Sequence, residues 1–220
     1  MNRTALVAGA SGLVGGHVLR LLLTDGAYGA VTSIGRRTLP LTHPKLTQRT
    51  ADFDRLDALA DFPRVDDVFC SLGTTMRRAG SPDAFRKVDY TYVVELARIA
   101  VRHRASQFLL VSAIGADRDS RVFYSRVKGE TEAAVRAIPF DAIHVFRPSL
   151  LLGARSESRP LERVGIVVGG TFRFLFIGPL RRYRPVRADT VARAMIAAAK
   201  EGRRGVHVHE FDRIVELSRR

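Results

Sequence analysis

Tyr124 and Lys128 are the first two residues of this sequence whose types and spacing suit chemistry. They stand four positions apart in the stretch YSRVK, and lysine is rare here, with four lysines among the 36 basic residues. Residues four apart lie on one face of a helix, so a helical segment directs the phenol and the ammonium into the same space. An ammonium favours the ionised form of a nearby phenol, which suits the two groups to proton exchange with a substrate oxygen. The alternative is a chance pairing.

The stretch GASGLVG contains a second chemical signal, the glycines Gly9, Gly12 and Gly15. They follow a run that predicts a strand and open a run that predicts a helix. Glycine permits a tight turn and a close approach of the backbone to a pyrophosphate, and a helix N-terminus attracts the anion. This context favours dinucleotide binding over a turn that is merely structural.

Arg36 and Arg37 directly follow the second predicted strand, where a dinucleotide-binding fold meets the adenosine ribose. A fold that prefers NAD offers Asp or Glu to the ribose hydroxyls at this point. Guanidinium groups instead form charge-assisted hydrogen bonds with a 2'-phosphate, which a carboxylate would repel. The two arginines therefore predict a preference for NADP(H). The alternative is a solvated loop in an arginine-rich chain.

The elements that must position these residues alternate between β-rich and amphipathic runs. Near-continuous apolar strands that alternate with helices indicate an α/β, Rossmann-type, doubly wound parallel sheet with helices on both faces. Such a sheet binds its ligands beyond the carboxyl ends of its strands. The predicted strands are 4–9, 30–35, 66–73, 107–113, 142–147 and 205–210, with a short third strand before Asp52, and the predicted helices are 13–25, 81–103, 122–138 and 187–202.

The length and composition predict one domain. The chain has 220 residues, of which 46% are hydrophobic, so it can bury one substantial core. We expect a single NAD(P)-binding domain over residues 1–220, in which residues of about 153–187 form a small substrate-side lobe. The single cysteine, Cys70, excludes an internal disulfide and fits a reducing compartment. No apolar run suits a transmembrane segment, and we expect a cytoplasmic protein.

The net charge of +14 raises the question of nucleic-acid binding. The arginines are spread along the whole chain and no nucleic-acid-binding motif accompanies them, so we expect no specific nucleic-acid partner. The densest cluster, RRYRPVR at 181–187, is interpreted as a solvated loop, with a phosphate-bearing ligand or an acidic partner as the alternative. His207 and His209 share one face of a strand, but two ligands without a third do not predict a metal site.

The GxxGxxG spacing, together with a YxxxK helix after the fifth strand, is similar to the short-chain dehydrogenase/reductase superfamily. Further stretches resemble one atypical subgroup, the small oxidoreductases related to the Tat-interacting protein of animals. They are IGRR, CSLGTT, VDYTYVVELA, VKGETEA, FRPSLLL and ESRP. The resemblance implies that Tyr124 is the acid/base of a hydride transfer and that Lys128 contacts the nicotinamide ribose and tunes Tyr124.

The same resemblance implies roles for further residues. Ser112 is the candidate for the hydroxyl that binds the substrate oxygen, although many relatives have a second serine where this chain has Ala113. Asp52 falls where relatives hold the adenine amino group, with an ordinary helix N-cap as the alternative. The cofactor-binding residues implied are Gly9, Ser11, Gly12, Leu13, Val14, Gly15, Arg36, Arg37, Asp52, Phe53, Leu72, Gly73, Thr74, Tyr124, Lys128 and Arg159.

Three functions fit these observations. The first is an NADP-dependent oxidoreductase that moves a hydride between the nicotinamide and a small carbonyl or alcohol, as a monomer or homodimer. The second is a non-catalytic NADP-binding sensor or scaffold whose surface responds to cofactor occupancy. The third is a sugar-nucleotide epimerase or dehydratase, but such enzymes generally have a large C-terminal lobe and this chain leaves little length for one.

Overall fold

Seven parallel strands form one sheet in the computed structural model, which describes residues 2–58, 62–152 and 178–220. The strands in chain order are β1 Arg3–Ala8, β2 Tyr28–Gly35, β3 Leu46–Thr50, β4 Asp67–Cys70, β5 Gln107–Val111, β6 Ala142–Phe146, β7 Leu151–Leu152, β8 Val186–Arg187 and β9 Gly205–His209. Their order across the sheet is β3-β2-β1-β4-β5-β6-β9, while β7 pairs with β8 separately. This order confirms the expected Rossmann-type fold.

Helices connect the strands within the same described ranges. They are α1 Leu13–Thr24, α2 Met76–Ala79, α3 Pro82–Arg86, α4 Tyr92–Arg102, α5 Phe123–Arg136, α6 Ala188–Lys200 and α7 Phe211–Leu217. Two 3-10 segments cover Phe53–Ala58 and Gly178–Tyr183. The sequence did not predict α2, α7 or the β7–β8 pair, all of which are short.

The long helix predicted over 81–103 is wrong in one detail, because a π-helical turn at Lys87–Thr91 separates α3 from α4. Thr131 Oγ1 on α5 donates a hydrogen bond to the backbone oxygen of Asp89 at 3.0 Å.

Apolar side chains pack on both faces of the sheet. In β1, Val7 joins one core cluster with Leu19 of α1, whereas its neighbour Leu6 joins the other cluster with Leu96 of α4. Successive residues of a strand point to opposite faces, so a strand covered on both sides must be apolar throughout. This explains the continuous apolar runs from which the fold was predicted.

The sheet order reverses between β1 and β4. The chain proceeds from β1 outward to β2 and β3, and then returns to β4 on the other side of β1. The connections after these two strands therefore leave in opposite directions and open a crevice beyond the carboxyl ends of the strands. Gly9 and Ser71 are the first residues after β1 and β4, so the predicted glycine turn lies at this crevice.

Two buried histidines face each other at the edge of the sheet. His144 Nδ1 on β6 lies 3.0 Å from His209 Nε2 on β9, and both residues are almost fully buried. Burial, with nearby positive groups, lowers the pKa of His144 to about 3 and that of His209 to about 4. Both rings therefore remain neutral at pH 5 in the folded protein, whereas an unfolded chain would bind protons there.

The free energy of unfolding should consequently decrease as the pH falls below about 6.5, the ordinary histidine pKa, toward the folded values. Each histidine contributes up to about 1.4 kcal/mol per pH unit in this window. Urea unfolding of the parent and of His144→Leu, measured from pH 7 to pH 4.5, should show a flatter dependence in the variant. Carboxylates titrate in both proteins, so equal slopes would contradict the assignment to the histidines.

Candidate functional site

The turn between β1 and α1 requires glycine at two of its three glycine positions. Gly9 has φ +86°, and a Cβ there would lie 2.5 Å from the Ser71 backbone oxygen. A Cβ on Gly15 would lie 2.3 Å from the Gly9 oxygen. Gly12 donates a backbone hydrogen bond to that same Gly9 oxygen at 2.9 Å and closes the turn. The glycine spacing thus brings the backbone of the turn against the end of β4.

The N-terminus of α1 opens onto the crevice. Gly12 is the N-cap and supplies no side-chain hydrogen bond, and the first turn of the helix contains no acidic residue. The first amides of a helix have no partners within it, and together with the helix dipole they favour an anion. Ser11 and Gly12 are exposed, Leu13 is half-buried and Val14 packs into the core. This end of α1 is suited to a pyrophosphate.

Arg36 and Arg37 lie exposed just beyond β2, as predicted. Arg36 lines an open groove together with Thr50, Ala51 and Asp52. The Asp52 Oδ1 accepts a hydrogen bond from the Asp54 amide at 3.0 Å, so the N-cap interpretation of Asp52 has a geometric basis. The groove lies where the adenosine end of a dinucleotide would extend from α1.

Phe53 does not present its ring to this groove. The ring is 6% exposed and packs against the ring of Tyr92 at a centroid distance of 5.5 Å. It belongs to the core cluster under α4. The side chain is therefore committed to packing, and a cofactor role for this residue is limited to its backbone.

Tyr124 and Lys128 both lie on α5, one turn apart, as the spacing predicts. Tyr124 is 37% exposed, and its ring rests against Phe85 at 5.5 Å. Lys128 is buried, and its Nζ lies 2.7 Å from Asp89 Oδ1. Burial disfavours the ammonium, but attraction to Asp89 and to Tyr124 more than offsets this and raises the pKa of Lys128. The lysine is therefore a buried cation next to an accessible phenol.

The loop after β4 packs on this cation. The amide of Thr74 donates to Asp89 Oδ2 at 2.8 Å. A Cβ on Gly73 would lie 3.2 Å from Asp89 Oδ1 and 3.6 Å from Lys128 Nζ. Leu72, just before, is half-buried and packs against the core cluster under α4. The structure thus brings Gly73 next to Lys128 and connects Thr74 to the lysine through Asp89.

Asp89 is the residue that the sequence reasoning missed. It is buried in the π-helical turn and contacts both Lys128 and Thr74. The available signal was a carboxylate in the run VDYTYVVELA, among the apolar residues of a predicted helix, because an acidic side chain is seldom buried without a partner.

Ser112 requires a correction. Its Oγ donates a hydrogen bond to Glu132 Oε1 at 2.6 Å, and both side chains are buried. Arg147 binds the same carboxylate through Nε at 2.9 Å. The proton expected to face a substrate oxygen is thus committed to a buried carboxylate, and the following residue, Ala113, has no hydroxyl.

Arg159 lies outside the described residues, as does most of the expected lobe at 153–187. In the cluster at 181–187, Arg181 pairs with Asp212 at 2.8 Å and Arg187 with Asp189 at 2.9 Å, so these two charges are partly matched within the chain. The described ranges contain no group of three or more His, Cys, Asp or Glu residues that could hold a metal ion. Across the same ranges, no helix is long and apolar enough to cross a membrane.

The sheet order, the glycine turn at the reversal point and the open helix N-terminus define a Rossmann-type dinucleotide-binding protein. The chain belongs to the NAD(P)H-binding family, whose model matches residues 9–149. This confirms the resemblance on which the sequence interpretation relied.

Known proteins support the same placement. The protein HTATIP2 of Rattus norvegicus is 42% identical over 165 residues, which are 73% of this chain and 68% of the relative. The protein fmp52-1, mitochondrial, of Aspergillus terreus is 34% identical over 213 residues, 93% of this chain and 90% of the relative. The structure of human epimerase family protein SDR39U1 with NADPH has a TM-score of 0.62 at 18% identity, covering 94% of this chain and 74% of that protein. The last similarity concerns the fold alone.

The prediction of a cytoplasmic location is wrong by this comparison. The fmp52 relatives from several fungi are named as mitochondrial, which points away from the cytoplasm. The single buried cysteine indicates only that the fold needs no disulfide. It does not distinguish between the compartments in which a thiol stays reduced.

Proposed function

We propose that this protein is an NADP(H)-dependent oxidoreductase that interconverts a small carbonyl compound and its alcohol. The observation that carries the proposal is the accessible phenol of Tyr124 one helical turn from the buried ammonium of Lys128, next to the loop that follows β4. This is the edge of the sheet where the glycine turn and the α1 N-terminus lie. The pair Tyr124 and Lys128 and the glycine turn therefore lie at the same edge of the sheet, which supports the proposal.

The residues of the crevice fit a dinucleotide. The turn packs so closely on its own backbone that a Cβ on Gly9 or Gly15 would clash with it, and beside this turn the α1 N-terminus offers its amides to a pyrophosphate. Arg36 and Arg37 are exposed at the end of β2 and would bind a 2'-phosphate, which supports NADP(H) over NAD(H). The bound nicotinamide would supply or accept the hydride.

The roles of the catalytic residues follow from their positions. Tyr124 would hold a hydrogen bond to the substrate oxygen, giving its proton during reduction and recovering it during oxidation. Lys128, kept charged by Asp89, would place a positive charge beside the phenol and donate hydrogen bonds to the ribose of the nicotinamide. Ser112 has no part in this scheme because its hydroxyl is bound to Glu132.

The hydrogen bond that Ser112 donates to Glu132 favours a second candidate function, a non-catalytic NADP-binding sensor or scaffold. A hydride-transfer site gains rate from each hydrogen bond aimed at the developing oxyanion. This site lacks the one that Ser112 was expected to provide. A protein that only reports cofactor occupancy would not need it.

Turnover separates the two candidates. The purified protein is incubated with NADPH and a panel of short and long aldehydes, ketones and quinones, and the loss of NADPH absorbance is followed. We expect at least one compound to be reduced with a kcat on the order of 1 s⁻¹, within the usual range for enzymes. Tight NADPH binding without turnover across the panel would favour the sensor, and absence of NADPH binding would contradict both candidates.

A further inference from the structure

Asp89 connects three elements around the crevice. Its side chain is fully buried, and its two carboxylate oxygens contact different parts of the chain. Oδ1 lies 2.7 Å from Lys128 Nζ on α5, and Oδ2 accepts the Thr74 amide at 2.8 Å from the loop after β4. A buried carboxylate is costly unless it is paired and hydrogen-bonded, and here Oδ1 is in an ion pair with Lys128 while Oδ2 accepts the hydrogen bond from Thr74.

The π-helical turn fixes where this carboxylate points. Thr131 Oγ1 on α5 lies 3.0 Å from the Asp89 backbone oxygen and 2.7 Å from the Val127 oxygen, and these two acceptors share its single hydroxyl proton. The main chain of Asp89 is therefore tied to the same helix that carries Lys128. Single π-helical turns are frequent at functional sites, where they redirect one residue of a helix.

We propose that Asp89 is a positioning residue of the reaction, which keeps Lys128 protonated and holds its ammonium against the loop of Gly73 and Thr74. The proposal rests on the proposed function for the roles of Lys128 and Tyr124. Asp89 itself touches neither the substrate nor the cofactor in this scheme and acts through Lys128.

The titratable groups that face Lys128 are Asp89 in the π-helical turn, Tyr124 on its own helix and Cys70 at the end of β4. Burial raises the pKa of the Cys70 thiol to about 12, so the thiol is neutral over the working pH range. Asp89 is thus the carboxylate that counters the cost of burying the ammonium. Without it, burial would lower the pKa of Lys128 and the amine would lose its proton at a lower pH.

Asp89→Asn is the informative substitution. The amide has the same shape, but it offers one acceptor where the carboxylate offers two. It can accept from Thr74 or from Lys128, and its NH₂ group then faces the other donor. The matched control is Asp83→Asn, which changes an exposed carboxylate in the first turn of α3.

The test measures kcat and NADPH affinity from pH 6 to pH 10 for the parent and both variants. We expect the alkaline loss of kcat in Asp89→Asn to begin at least about one pH unit below that of the parent, with Asp83→Asn matching the parent. A proportional loss of kcat at every pH, with no shift of the alkaline limb, would overturn the proposal because a merely structural role predicts that result.

Measuring the affinity for NADPH tests the role of Asp89 even if the protein catalyses no reaction. If the parent reduces no compound of the panel, the proposed function fails, but fluorescence titration still reports the charge of Lys128. Affinity for NADPH should then decrease with rising pH more steeply in Asp89→Asn than in the parent. Parallel pH dependences of the two affinities would overturn the role of Asp89.

A double variant covers the case in which Asp89→Asn unfolds. Asp89→Asn/Lys128→Met removes both charges and leaves no unpaired ammonium in the core. We expect urea unfolding to show the double variant to be more stable than Asp89→Asn, while NADPH affinity stays at least tenfold below that of the parent. A double variant that is no more stable than Asp89→Asn would show that the carboxylate does not act through Lys128.

Discussion

Tyr124→Phe should reduce kcat by about 10³-fold or more with any carbonyl that the protein accepts, because general acid catalysis typically contributes 10²- to 10⁴-fold. The substitution removes the hydroxyl that we propose faces the substrate oxygen, and it leaves the ring packed against Phe85. NADPH affinity should therefore stay within a few fold of the parent value. Steady-state turnover and a fluorescence titration of NADPH together measure the two effects.

Tyr92→Phe is the matched control for this substitution. Its hydroxyl makes an exposed hydrogen bond to Asp54 at 2.8 Å, away from Lys128. We expect that variant to retain the kcat of the parent. Equal turnover by Tyr124→Phe and the parent would remove Tyr124 from the reaction and leave the NADP-binding assignment untouched.

Arg36→Ala/Arg37→Ala should remove most of the preference for NADP(H) over NAD(H). Each charge-assisted hydrogen bond to a 2'-phosphate is worth roughly 1.5 to 3 kcal/mol, which is roughly a 10- to 150-fold preference. Both side chains are exposed beyond β2, so their removal should leave the fold and NADH affinity nearly unchanged. The chain contains no tryptophan, so the titration follows the emission of NADPH itself or the heat of binding.

The control for the loss of positive charge is Arg98→Ala/Arg102→Ala, which removes two exposed arginines from α4. It lowers the net charge by the same amount without touching the groove at β2. We expect its cofactor preference to match that of the parent. Equal affinity of the parent for NADPH and NADH would contradict the assignment of Arg36 and Arg37.

Local signals predicted the sheet, the glycine turn and the helix that carries Tyr124 and Lys128. Glycine at 9 and 15 is required by the turn itself, through a positive φ at Gly9 and through close backbone contacts, so its spacing is informative without knowledge of the rest of the fold. The apolar runs of the strands follow from burial on both faces of the sheet. The spacing of Tyr124 and Lys128 follows from the period of the helix.

Location in the cell was predicted wrongly because composition is a weak guide to it. A chain with one buried cysteine and a positive net charge is stable in any reducing compartment. Targeting depends on sequence features that receptors recognise, and these have no necessary relation to the packing of the fold.

The partners of the buried polar groups were decided by the tertiary structure. Ser112 and Glu132 are 20 positions apart and meet only because the fold brings the residue that follows β5 next to α5, which redirects the one hydroxyl expected at the substrate. Lys128 on α5 pairs with Asp89 in the π-helical turn. The ring of Phe53 is buried against the ring of Tyr92. The sequence by itself determined which residues suit the chemistry and which elements hold them. Which donor faces which acceptor was settled by packing, because a buried polar side chain bonds whatever group the fold brings within reach.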